Sequence, residues 1–475
     1  MVFTSITFLL FFLPVLLLIY YLPYGKYRLQ IQNAVLLLFS FVFYAWGGVK
    51  NLSILILSIL INYIGGVLVG KTKNATSRRI IFICFILLNF LLLGFYKYLG
   101  FAVRIVDKFG FSISVPKTVL PIGISFFTFQ GASYLIDVYR RDVIFQRNPI
   151  NVALYVSSFP QLVAGPIVRY ATVEQEILCR KHSLNDFSDG LVRFMLGFGK
   201  KMILANSMGE VADEVFVMNS AGTLSIPVAW VGAIAYSFQI YFDFSAYSDM
   251  AIGLGRMFGF HFLENFNYPY IASSVTDFWH RWHISLSTWF RDYVYIPLGG
   301  NRCKLPRQIL NLLIVWGATG LWHGANWTFV LWGLYFGILL ILEKFFLKNL
   351  LNRTPAIIRH MATLLIIIIG WVLFRSNSIV GAEKYILTMF GRGSFVLRDA
   401  VYYIIEYAPE FVMCVIASLP IKEKLSDYAE KKQSTSVAVF WCREVGIKLF
   451  AFSVFVLSFI KLVTNSFNPF IYFKF

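Results

Sequence analysis

The sequence predicts an all-α polytopic membrane protein, and three observations carry that prediction. Of 475 residues, 58% are hydrophobic and only 14% charged, with a mean hydropathy of +0.69, whereas a soluble domain carries roughly a quarter charged residues. Apolar runs of membrane-spanning length recur along the chain. The net charge of +18 is also unevenly distributed among the loops. An anionic lipid surface accounts for this basic excess, and no nucleic acid partner is expected.

The apolar runs fall at about residues 4 to 22, 30 to 46, 52 to 70, 80 to 99, 226 to 242, 309 to 322, 326 to 342, 361 to 374, 400 to 419 and 445 to 463. Shorter ones lie near 119 to 136, 150 to 168 and 190 to 205, and together they predict ten to twelve spans. The first run lacks a basic leader and a small-residue cleavage site, so it is expected to stay as a membrane anchor. Lys26 and Arg28 follow it, Lys50 stands alone in the next loop, and Lys71, Lys73, Arg78 and Arg79 gather in the third. Because Lys and Arg bias short loops toward the cytoplasm, this alternation predicts an outside N-terminus. The five cysteines show no CxxC spacing and receive no role.

Ile309 to Leu342 comprises thirty-four residues without Asp, Glu, Lys or Arg, and His323 is its only side chain that titrates near neutral pH. As one helix it would measure about 51 Å against a hydrocarbon core of roughly 30 Å, so it must break or fold back. Gly317, Gly320 and Gly324 are the expected break points. A histidine there is a functional candidate; a histidine hydrogen-bonded between helices fits the segment too.

Ser273 to Tyr293 reads as one amphipathic helix, with Val275, Phe278, Trp279, Trp282, Leu286, Trp289 and Phe290 on its apolar face. Thr276 or Ser274 is its candidate cap. So many ionisable groups place it at the interface or against a water-filled cavity. His280 and His283 are three residues apart, and Ser287 follows His283 by four, but the spacing matches no zinc signature, so no metal is assigned. His280 reads as an interfacial partner of Asp277, while His283 suits a site role and a structural role equally. Asp243 and Asp249 resemble an acid pair but read as hydrogen-bonding anchors at a membrane boundary. Phe159 to Ile167 carries Pro160, Gly165 and Pro166, which suits irregular backbone beside a cavity. The chain ends on an aromatic tail, Phe470 to Phe475, which reads as an interfacial belt or as a segment that folds inward and presents the Tyr472 hydroxyl.

Taken in order, the Met1 to Ser5 start, Phe159 to Pro166, Asp243 to Met250, Asp277 to Leu286, Gly299 to Arg302 and Trp322-His323-Gly324 resemble the membrane-bound O-acyltransferase (MBOAT) family. Within it, the resemblance is to the bacterial alginate O-acetylase and peptidoglycan O-acetyltransferase branch, and it covers nearly the whole chain. It implies one membrane-embedded acyltransferase domain over residues 1 to 475, an MBOAT-type bundle with broken or re-entrant helices and a central tunnel. A terminal span plus aromatic motif would occupy residues 445 to 475.

The family's nearly invariant histidine falls on His323, and its second characteristic position, histidine or asparagine, falls on His283. The resemblance further implies His323 as general base, His283 as orienting residue, Tyr472 as acyl relay, and Trp322, Trp282 and Asn326 along the tunnel. No bound cofactor is expected. Acetyl-CoA would be the donor and a surface polysaccharide the acceptor, reached through an exported SGNH-type hydrolase-fold acetyltransferase, and the expected location is the bacterial inner membrane. A transporter or flippase is the rival reading, since it too uses discontinuous helices and buried ionisable groups; no second copy of the His323 segment is present to form its usual paired halves.

Overall fold

The computed structural model describes residues 1–23, 25–111, 119–421 and 437–464 and Phe470. All regular structure among these residues is helical. Six helices are long and apolar enough to cross a membrane, or seven when the pair Leu397–Glu406 and Ala408–Ala417, bent by 68°, is taken as one span. The ten to twelve spans expected are not reached by this measure. Several of the apolar runs fold into helices too short to cross: Ile124–Arg140 has 17 residues and Pro149–Ser157 has 9. Their apolar character reflects burial, since all twelve consecutive positions of Ile124–Leu135 lie inside the protein. The chain divides into two compact units, Met1–Phe194 with Ser248–Leu263, and Met195–Tyr247 with Glu264–Phe475.

In the first unit the helices Arg28–Ala45, Val49–Lys71 and Ala75–Asp107 meet the span criteria. Asn62 and Asn89 exchange amide hydrogen bonds of 3.0 and 3.1 Å, which satisfies two polar groups that would otherwise be stranded between apolar helices. A Cβ on Gly66 would come within 2.6 Å of the Tyr134 ring, so glycine permits this close approach. The Pro- and Gly-bearing segment Phe159 to Ile167 is irregular as expected, forming only the single turn Phe159–Leu162 before a non-helical stretch. Asp249 accepts two hydrogen bonds from Arg193, at 3.0 and 2.8 Å, in keeping with an anchoring role.

The second unit is built around an antiparallel hairpin of Leu305–His323 and Trp327–Leu342. The first helix runs straight through Gly317 and Gly320, and the chain breaks only at Gly324 to Asn326. Gly320 serves packing instead of bending: a Cβ there would strike the Phe329 carbonyl, and one on Gly333 would lie 3.1 Å from the Gly320 Cα. Small residues at this crossing let two helices touch backbone to backbone. Asn326 restarts the helix by accepting the Thr328 amide at 3.3 Å.

Against this hairpin lies an aromatic core that includes Trp279, Trp316, Trp332, Phe336, Trp371 and Phe374. Ring pairs such as Trp279–Trp316 at 4.7 Å and Trp332–Phe374 at 5.1 Å adopt edge-to-face geometry, the arrangement favoured by ring quadrupoles. Asp243 forms a buried ion pair with Lys201 at 2.5 Å, both side chains being 3% exposed. The Phe470 ring, also buried, lies 4.7 Å from the Lys201 ammonium and 5.0 Å from the Tyr247 ring.

Candidate functional site

The stretch expected to be one amphipathic helix is two. Val275–Arg281 and Ile284–Phe290 are separated by Trp282 and His283. The first helix is capped by Ser274, whose side chain accepts from the Asp277 amide. Its remaining orphan amides reach across the unit: Val275 and Thr276 donate to the Glu343 carboxylate at 2.8 and 3.2 Å, where a negative charge also complements the helix dipole. Asp277 pairs with Arg281 at 2.8 Å, not with His280, because the i,i+4 guanidinium reaches it. His280 is exposed whereas His283 is 1% exposed, so the two do not share a helix surface.

The break follows from His283 itself, which sits at φ 45°, ψ 53°. A non-glycine residue in this left-handed region costs about 1–3 kcal/mol and persists only where its surroundings impose it. Here Asn265 supplies the constraint. The Ile284 amide donates to the Asn265 carbonyl at 2.9 Å, and the Asn265 Oδ1 accepts from the Ser285 amide at 3.2 Å and the Ser285 hydroxyl at 2.9 Å. The same Oδ1 lies 3.1 Å from His283 Nδ1. An amide oxygen can only accept, so this contact assigns the proton to Nδ1 and leaves Nε2 with its lone pair. Nε2 is buried and has no hydrogen-bond partner among the described residues. Burial pushes the His283 pKa down to about 3, so the ring is neutral at physiological pH.

His323 ends the Leu305–His323 helix and is 7% exposed. Trp322 touches both imidazoles, with centroids 5.8 Å from His283 and 5.0 Å from His323. Phe244 meets the His283 ring edge-on at 4.5 Å. Trp332 and Phe374 meet the His323 ring at 5.0 and 5.2 Å. Two histidines forty residues apart in sequence thus both contact one indole, and further aromatic rings pack against each of them. Such surroundings exclude water and strengthen any polar interaction formed within them.

Of the other residues picked from sequence, Trp282 is buried among Phe266, Phe278 and Trp371, at 5.1, 5.5 and 4.7 Å. Asn326 caps the second hairpin helix and donates to the Asn377 carbonyl at 3.4 Å. Tyr472 lies outside the described residues. Asn265, Phe244, Phe374 and Trp332 were not legible as site residues. Asn265 stands in an irregular connection, and only the folded backbone brings it to His283.

Comparison with known proteins bears on the family of the chain. The profile of the membrane-bound O-acyltransferase family matches residues 143–379, which contain both histidines. A probable alginate O-acetylase of Azotobacter vinelandii is 39% identical over the full length of both chains. The peptidoglycan O-acetyltransferase of Helicobacter pylori is 33% identical over all of this chain and 98% of its own. The teichoic acid D-alanyltransferase of Bacillus subtilis is 29% identical over 48% of this chain and 60% of its own. A multi-pass helical architecture, a buried histidine pair about one indole and full-length similarity to acyl-transferring membrane proteins lead to one assignment: the chain is an O-acyltransferase and belongs to the membrane-bound O-acyltransferase family.

Proposed function

We propose that the protein takes an acetyl group from a cytoplasmic thioester, acetyl-CoA, and delivers it across the inner membrane for O-acetylation of a surface polysaccharide such as alginate or peptidoglycan. The observation that carries this reading is the pair of buried imidazoles, His283 and His323, held about Trp322 inside an aromatic enclosure. Sidedness supports it. Arg302, Lys304 and Arg307 cluster at the start of the Leu305–His323 helix, and Lys344, Lys348, Arg353 and Arg359 cluster at the matching ends of its neighbours. The positive-inside tendency assigns that end to the cytoplasm. His323 is at the other end, about 28 Å of helix away, so an acyl group entering from the cytoplasm needs an enclosed path to it.

In this reading His323 accepts the proton of an attacking hydroxyl, a contribution typically worth about 10²- to 10⁴-fold. The hydroxyl oxygen bonds to the thioester carbonyl carbon, the carbon–sulfur bond breaks, and the sulfur leaves as the CoA thiol with the proton His323 removed. His283 offers its Nε2 lone pair to orient the reacting hydroxyl or His323 itself. The Tyr472 hydroxyl is the proposed first acceptor, forming an ester that is handed to the serine of an exported SGNH-type hydrolase-fold partner. The indole walls and Asn326 would line the acyl passage.

Turnover of labelled acetyl-CoA by purified protein, together with surface-glycan acetylation in cells, tests the proposal. His323→Ala that inserts normally should lose both; persistent acetylation refutes the proposed base. Tyr472→Phe keeps an aromatic ring and removes only the hydroxyl, so unchanged transfer refutes the relay.

A further inference from the structure

The chain end turns back into the second unit. Along the last helix, Val437–Thr464, Phe455 packs on Phe198 at 5.4 Å and Lys461 donates to the Ser207 hydroxyl at 3.0 Å. That helix therefore runs parallel to residues 198 to 207. Phe470 comes six residues after Thr464, yet its ring lies 4.7 Å from the Lys201 ammonium, short of the level that Lys461 reaches at Ser207. The ring is also 1% exposed. An interfacial aromatic belt would leave it at the lipid boundary; it is inside instead.

The place where Phe470 lies is built from buried groups. Lys201 and Asp243 pair at 2.5 Å with each side chain 3% exposed, an arrangement that is costly unless further favourable contacts engage the charges. The Phe470 ring supplies one, since it stands within the roughly 6 Å over which a ring face attracts a cation. Tyr247 meets Phe470 at 5.0 Å with the two planes at 83°. The cation draws the ring face while Tyr247 stands at right angles to it, so the ring is fixed in depth and in orientation. Asp243 and Tyr247 are an i,i+4 pair on the helix Ile226–Met257, which places them on one side of it. Phe244, in the same turn, meets the His283 ring at 4.5 Å. A single turn of one helix thus contacts both Phe470 and His283.

Two extended residues reach about 7 Å, comparable with the roughly 5.4 Å pitch of that turn. We propose that Phe470 is a positioning residue for acyl transfer: seated on the Lys201–Asp243 pair and against Tyr247, it pins the C-terminal tail at the helical turn that packs on His283. Its consequence for transfer rests on the reading of Tyr472, two residues further on, as acyl acceptor; the seat itself rests on the contacts of Phe470.

Tyr247→Cys combined with Phe470→Cys removes both rings, and a short bifunctional methanethiosulfonate reagent then ties the two positions together in the purified full-length chain. Untied, this variant should transfer labelled acetyl about tenfold or more slowly than the wild type, because the acceptor is no longer held in place. The KM for acetyl-CoA should stay within about twofold, since donor binding is untouched. Tying should restore the rate by about fivefold or more, and neither single variant should respond to the reagent. Phe470→Ala alone leaves Tyr247 and the ion pair in place and should show the same fall at unchanged KM, which keeps the test decisive if the double variant does not fold. Transfer by folded Phe470→Ala within about twofold of the wild type overturns the proposal. So does a double variant that cannot be tied, or one whose rate tying leaves unchanged. Tying is read from the mass of the joined peptides without any acyl donor, so an absent seat yields no joined peptide, whereas an absent relay yields joined peptide together with unchanged transfer by Tyr472→Phe.

Discussion

Asn265→Leu is the sharpest perturbation of the site, since it removes one atom that does three jobs and leaves a side chain of similar size. The Asn265 Oδ1 accepts from His283 Nδ1 and from the Ser285 amide and hydroxyl. Ser285 is only partly buried, so its donors can turn to other partners, but His283 is 1% exposed and its N–H is left with only the more distant Ser285 hydroxyl, 3.4 Å away. The expected loss of stability is about 1–3 kcal/mol, with a further part of the roughly 1–3 kcal/mol of left-handed strain at His283 no longer offset. The chemical effect follows from the tautomer. With only the long Ser285 contact at Nδ1 the proton is held there less strongly, and each 1.4 kcal/mol of lost preference for the Nε2 lone pair is a factor of ten in the competent form.

Transfer of labelled acetyl from acetyl-CoA should therefore fall about 10- to 100-fold, with a lowered melting temperature in detergent. Asn265→Asp supplies the same acceptor geometry with a charge, which should retain the fold and lift the His283 pKa from about 3 by about one to three pH units. Its transfer activity should then decline below about pH 6, where the wild type keeps His283 neutral. Asn265→Leu protein with wild-type melting and transfer within about twofold would refute the assigned role of Asn265 and the Nδ1 tautomer together.

Three further outcomes are expected. His283→Asn should lower transfer without moving its pH profile between about pH 5 and 8, because burial holds the wild-type ring neutral across that range; an acid limb that disappears in the variant would mean His283 titrates during turnover. By linkage, the unfolded histidine takes up a proton below about pH 6.5 that the folded one refuses until about pH 3, so His283 makes the wild type progressively less stable as pH falls through that window. His283→Asn should flatten this part of the pH–stability curve, read by thermal melting. Lys201→Met leaves the buried Asp243 carboxylate uncompensated and should cost about 3–5 kcal/mol, while the double variant Lys201→Met with Asp243→Leu should recover much of it; melting temperatures of the single and double variants measure both.

The features legible in the sequence were those with a local cause. Hydropathy and charge patterning marked a membrane protein because lipid selects for apolar runs whatever they pack against. His323 stood out because it is the only group that titrates near neutral pH in thirty-four residues. The break in that segment was expected because a single helix would be too long, but its position was overassigned. Gly317 and Gly320 remain helical, since a glycine that admits a neighbouring backbone and a glycine that ends a helix look alike in sequence. The helix expected across Ser273 to Tyr293 failed at His283 for the opposite reason. Its pattern is amphipathic throughout, and the left-handed turn is imposed by Asn265, a residue eighteen positions earlier. The count of ten to twelve spans is not reached among the described residues for a similar reason, because apolar runs buried in protein and apolar runs facing lipid share one composition.

By itself, the sequence determined the helical membrane class, the ordered motifs that mark the acyltransferase family and the two histidine positions, because each follows from residue type and order along the chain. The tertiary structure alone decided that Trp322 joins those histidines, that Asn265 sets the tautomer of one of them, and that Phe470 sits on the Lys201–Asp243 ion pair. These are contacts between residues remote in sequence. Their energies come from burial and hydrogen-bond geometry, which exist only once the chain has folded and excluded water from the groups it brings together.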